Sequence, residues 1–83
     1  MITNEMAMSA FVMHLSFAFP NKKIGRNRFY KHVRYFVDGI EVIRIQYADL
    51  CAGVQEIDWI RDRCREAEEN FSAGLAEKLL KTI

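Results

Sequence analysis

Acidic residues are missing from one long basic stretch of this chain, proline occurs once, glycine four times and cysteine twice. Each scarcity excludes something. With one proline, four glycines and 51% hydrophobic residue types, the chain is not a disordered or low-complexity segment, which would lack the apolar side chains needed to offset the entropy of ordering. Two cysteines are too few for the disulfide framework of a small secreted domain. Cys51 and Cys64 also read as the start and middle of one helix, too far apart along its axis to bridge. Both are expected to be reduced, in a cytoplasmic setting.

Long apolar runs are lacking as well. The stretch from Met6 to Phe19 falls short of the roughly 20 residues that a membrane-spanning helix needs. It has the look of a signal-peptide core, but Glu5 stands before it, no Lys or Arg does, and His14 interrupts it. No membrane association is expected. His14, His32, Cys51 and Cys64 are the right residue types for zinc, yet no two stand at ligand spacing. Neither a metal nor a cofactor is expected, and no catalytic or nucleotide motif points to an enzyme.

What is present is a single small domain, 1–83, of which about two thirds of the unfolded surface can be buried. Its formal net charge of +1 conceals an uneven layout. Residues 21–36 carry Lys22, Lys23, Arg26, Arg28, Lys31 and Arg34 with no acid, whereas from Cys51 onward seven acids face five bases, a net of −2. A bipolar molecule with near-neutral overall charge is a poor nonspecific binder of nucleic acid or membrane.

Three segments predict the architecture. Residues 9–19 alternate, with Phe11, Met13, Leu15, Phe17 and Phe19 on one side, a two-residue period that predicts a strand; Met8, Phe11, Val12, Leu15 and Phe19 also match helical spacing. The polar NKKIGRN after Pro20 reads as a connection. Asp38-Gly39 between apolar-rich runs predicts a two-residue hairpin, with Val37 opposite Ile40, Tyr35 opposite Val42 and Val33 opposite Arg44, and on the other surface Phe36 opposite Glu41 and Arg34 opposite Ile43. In that register neither sheet surface is wholly apolar. From Asp49 to Leu80 the pattern is helical, whole or broken near Asn70-Phe71-Ser72. Leu50, Val54, Ile57, Cys64, Phe71, Leu75 and Leu79 form its apolar stripe, flanked by Ile60 and Ala67. The expected fold is α+β: a three-stranded antiparallel meander followed by a long C-terminal helix packed on one face.

Candidate functional residues divide into two groups. Trp59 projects about 150° from the helix stripe beside Arg63 and Glu66, and a large aromatic next to Arg has the composition of a binding hot spot. With Tyr30, Arg34 and Tyr35 of the hairpin, these residues form the expected protein-partner surface. A sheet face holding Tyr30, Phe36, Ile43, Ile45 and Tyr47 with one helix to cover it predicts a homodimer. The favoured function is a small non-enzymatic interaction module, an inhibitor or regulator of the kind phages and mobile elements encode. The alternative is a nucleic-acid-binding regulator in which Lys22, Lys23, Arg26, Arg28, Lys31 and Arg34 contact phosphates while aromatics stack on bases.

The stretch RYFVDGIEVIRI resembles the central hairpin of bacterial RelE and ParE type toxins, where an Arg or Tyr run enters a turn and leaves through an apolar strand. This resemblance implies a second alternative, a ribonuclease. Arg28, Lys31, His32, Arg34 and Tyr35 would then supply the acid, base and phosphate-stabilising groups that attack by a 2′-hydroxyl requires.

Overall fold

The computed structural model describes residues 1–81. Six elements follow one another: α1 (Asn4–Ala18), β1 (Ile24–Arg28), β2 (His32–Val37), β3 (Ile40–Gln46), α2 (Tyr47–Gly53) and α3 (Ile57–Lys81). The strands form one antiparallel sheet in the order β1-β2-β3. The expected class, a three-stranded antiparallel meander followed by a long C-terminal helix, is the one observed, but its first strand is a different segment.

Residues 9–19 are helical up to Ala18. Thr3 caps α1 by accepting from the Met6 N–H at 3.1 Å, and Ala, Met and Leu, all good helix formers, outnumber the single β-branched Val12. The buried set, Ala7, Met8, Phe11 and Leu15, follows the helical period. The alternation of five apolar residues is a by-product of a helix that is apolar nearly all round. The strand role passes to IGRNR, which carries no apolar alternation and is recruited because β2 offers it a ladder.

Asp38 and Gly39 have φ of 49° and 83°, the pair of left-handed residues that a type I′ turn requires. Asp38 also ties the turn to the entry of β1: its N–H donates to the Lys23 carbonyl at 2.8 Å, and its Oδ1 accepts from the Lys23 N–H at 2.9 Å. The predicted pairs Val37 with Ile40 and Phe36 with Glu41 hold. Beyond them a bulge shifts the register by one, so Tyr35 meets Ile43, Arg34 meets Arg44, Val33 meets Ile45 and His32 meets Gln46. Val42 is the extra residue. Without the bulge, Ile43 and Ile45 would share a face with Arg34 and His32. With it they join Val33, Tyr35 and Val37 in the core, and Arg44 and Gln46 turn outward. Across the β2–β3 hairpin one surface becomes apolar and the other mixed.

The C-terminal region breaks at Val54–Glu56 rather than near Asn70, after Gly53, and α2 folds back beside α3. Cys51 and Cys64 therefore lie in different helices, both as free thiols. Met8, Phe11, Leu15 and Phe19 from the α1 region, Leu50 from α2, and Ala67 and Phe71 from α3 close the core over the sheet. Tyr47, opening α2, pins the β1–β2 tip by donating its N–H to the Lys31 carbonyl at 3.0 Å and its hydroxyl to the Phe29 carbonyl at 2.8 Å.

The helix α3 runs along β3, where Asn70 donates its side-chain N–H to the carbonyl of the bulged Val42 at 2.6 Å. Gly74 lies so close to Ile40 that a Cβ there would collide with its methyl group. At 25 residues α3 is roughly 37 Å long, longer than the roughly 23 Å of β3. Its end outruns the sheet, which leaves Leu75 and Leu79 of the expected buried stripe exposed, as is Ile57 at its start.

Candidate interaction surface

Trp59 does stand off the buried stripe of α3, formed by Ile60, Ala67 and Phe71, but it does not stand in solvent. The break at Val54–Glu56 brings α2 back over it. The indole lies on the bare Cα of Gly53, where a Cβ would collide with the ring. It also meets the Phe11 ring edge-on at 5.8 Å. Arg63 sits over its remaining face, 5.8 Å from the ring centroid, and pairs with Glu66 at 3.4 Å. Trp59, Arg63 and Glu66 do gather, in a cleft of about 480 Å³ shared with Arg44, Gln46 and Asp49. Trp59 forms its half-buried floor instead of a projecting anchor.

Tyr35 leaves the candidate surface altogether. It is 0% exposed, its hydroxyl donates to the Met8 carbonyl at 3.1 Å, and its ring packs on Phe11 at 5.1 Å. Burial pushes its pKa far above the usual tyrosine value, against a smaller lowering by the Arg26 charge. Burial, with Glu68 adding to it, likewise pushes the Cys64 thiol up. Tyr30 is 92% exposed at the tip between β1 and β2.

The six cations of the basic stretch do not form one patch. Register places Arg26 and Arg28 on the side of Tyr35 and Val33, toward α1, and Arg34 on the opposite face. Arg26 and Arg28 share the carboxylate of Glu5. Lys22 pairs with Asp38 at 3.7 Å and Arg34 with Glu41 at 3.6 Å. Lys31 and Lys23 flank the two ends of β1. On the outer face Phe29 stacks on His32 at 4.8 Å, with the Arg34 guanidinium 4.7 Å from the same ring. Of the groups that the toxin resemblance implies, Arg28 and Tyr35 thus lie on one side of the sheet and His32 and Arg34 on the other. They do not converge on one reacting centre.

A feature the strand reading of residues 9–19 hides is the outer face of α1. At about 100° per residue, Met6, Ala10, Met13 and Phe17 fall within about 60° of one another, opposite the buried stripe. Phe17 is 77% exposed, and Met6 and Met13 are exposed too. The sequence does carry a signal for it: between Met6 and Ala18 the only ionisable side chain is His14. A helix apolar all round is ordinarily buried all round.

Among the described residues no group of three His, Cys, Asp or Glu side chains gathers as a metal site, and no helix is long and apolar enough to cross a membrane. No protein-family model matches the chain, and no curated protein or solved structure matches it either.

Proposed function

We propose that this protein is a non-enzymatic interaction module, an inhibitor or regulator of a protein partner, that works as a homodimer. The single observation that carries the reading is the second apolar face of α1. Met6, Met13 and Phe17 form an exposed stripe on a helix whose opposite face already builds the core, and exposed apolar patches of this kind mark contact sites. A second copy suits it. The stripe carries no charge, so laying two such helices together across a two-fold axis brings no like charges into contact. The sheet face expected to carry the dimer is not one surface, because Ile43 and Ile45 are core residues while Tyr30 is exposed at the β1–β2 tip.

Light scattering tests the reading. At micromolar concentration the parent should run at twice 9.7 kDa, and Met13→Glu with Phe17→Glu should run as a folded monomer whose melting temperature no longer depends on protein concentration. A parent that is a stably folded monomer at that concentration would remove the dimer.

A second reading rests on the outer sheet face, where Tyr30 and the Phe29–His32–Arg34 stack offer aromatic platforms for unpaired bases. A gel shift with single-stranded nucleic acid decides it: binding that weakens steeply with salt favours this reading over the first.

A further inference from the structure

The two edges of the sheet are treated differently. Along β3 the chain lays its longest helix, Asn70 takes the Val42 carbonyl, and Gly74 presses on Ile40. Along the outer side of β1 no strand pairs among the described residues. Antiparallel ladders alternate, and the bonds from Phe29 N–H to the His32 carbonyl and from Asp38 N–H to the Lys23 carbonyl mark the odd-numbered residues as those bonded to β2. The backbone N–H and C=O groups of Ile24, Arg26 and Arg28 therefore point away from the sheet. An open edge of this kind is a template for one more strand.

Side-chain depressions lie beside that edge on both faces. Toward α1, a hollow of about 250 Å³ is lined by Ser9, Val12, Ile24, Gly25 and Arg26. On the outer face, one of about 370 Å³ lies over Phe36, bounded by Lys23, Gly25 and Asn27. The first lies on the flank of α1, between its buried stripe and the outer stripe of Met13 and Phe17. The charge along the edge is lopsided as well. Arg26 and Arg28 have only Glu5 between them, and Lys23 and Lys31 stand at the strand's two ends.

Resting on the reading of this protein as an interaction module, we propose that β1 captures an extended segment of its protein partner by strand addition, and that this segment alternates acidic and apolar residues. Acids opposite Arg26 and Arg28 answer the uncompensated charge. Apolar residues opposite Gly25 and Asn27 lie over Phe36. A second copy fits the edge less well, because antiparallel pairing of β1 with itself about Arg26 or about Asn27 sets Arg26 against Arg26 or Arg28, and like charges directly opposite oppose pairing.

The probe is a nine-residue peptide alternating glutamate and valine, titrated into the ¹⁵N-labelled full chain, with a lysine–valine peptide and an N-methylated glutamate–valine peptide as controls. Addition of the glutamate peptide should shift the amides of Ile24, Arg26 and Arg28 and slow their hydrogen exchange at least tenfold. The N-methylated peptide, which keeps the charge but cannot bond the edge, should bind at least tenfold more weakly. Arg26→Pro removes an outward N–H that β2 does not use and should abolish the response; Arg26→Glu should transfer preference to the lysine peptide. Equal response to all three peptides, unprotected edge amides at saturation, or protection that appears on raising protein concentration without peptide would each overturn the proposal. Because the dimer is read by light scattering on the α1 variants, an edge that fails while the parent remains a dimer overturns strand addition alone. An edge that responds in a monomeric parent overturns the dimer alone.

Discussion

Two residues show how a side chain's role depends on what the rest of the chain folds over it. Trp59 closes the seam between α1, α2 and α3, so Trp59→Ala should cost about 3 kcal/mol, the low end for deleting a large aromatic because one face of the ring remains open to Arg63. Urea unfolding of the variant gives the value. A loss under about 1 kcal/mol would mean that the indole is a surface group. Tyr35 makes a pH prediction. An unfolded chain releases the phenol proton near the ordinary value of 10.0, whereas the folded chain holds it to higher pH. Above about pH 10 the native state binds the extra proton, so stability is fully present below that pH and falls by about 1.4 kcal/mol per pH unit as pH rises through it. Denaturation followed from neutral pH to above about pH 11 should show a flat limb below about pH 10 and this slope above it. Tyr35→Phe should lose about 1 kcal/mol at neutral pH, where the Met8 carbonyl forfeits its donor, and should flatten the part of the alkaline slope due to this phenol.

At the scale of elements, the hairpin and the bulge do separate jobs. The turn brings β2 and β3 together, and the bulge at Val42 sorts their side chains. Gly39 has φ of 83°, and a Cβ added there would meet nothing within 4 Å, so Gly39→Val should cost about 1 kcal/mol or more through backbone strain alone. An unchanged melting temperature would mean that the turn tolerates a β-branched residue at positive φ. Asn70 guards the other end of this arrangement. Its truncation to Ala leaves the Val42 carbonyl without its donor and should cost about 1 kcal/mol, read by thermal unfolding. Hydrogen exchange should quicken along β3 and remain unchanged in β1.

For the molecule as a whole, the open features lie on the side away from the acidic C-terminal helix. The free edge of β1, with Arg26 and Arg28, adjoins the flank of α1 at Ser9 and Val12, while α3 carries Glu66, Glu68, Glu69 and Glu77. If two copies join through α1, folding and association are linked, and the melting temperature should rise with protein concentration. Differential scanning calorimetry at protein concentrations spanning about two decades decides this. A concentration-independent transition would count against the dimer.

Local chemistry that needs few partners is legible in the sequence. Asp38-Gly39 determined a hairpin because a type I′ turn accepts two left-handed residues between twisted strands. The predicted stripe holds only in part along α3, where Phe71 is buried and Cys64 half-buried, whereas Ile57, Leu75 and Leu79 are exposed and the buried places fall to Ile60 and Ala67 on its flank. Cys51 and Cys64, expected on one helix, lie on two. Tertiary structure decided the rest. Residues 9–19 fit both periods, and the helix won because the sheet needed a cover with long apolar side chains, while the ladder along β2 was filled by IGRNR, whose composition carries no strand signal. The bulge is invisible in the sequence because a one-residue register shift leaves local composition unchanged yet exchanges the two faces of β3. The setting of Trp59 is hidden for a related reason: helical phase fixes direction relative to its own helix, and whether that direction meets solvent or a neighbour depends on where α2 turns back.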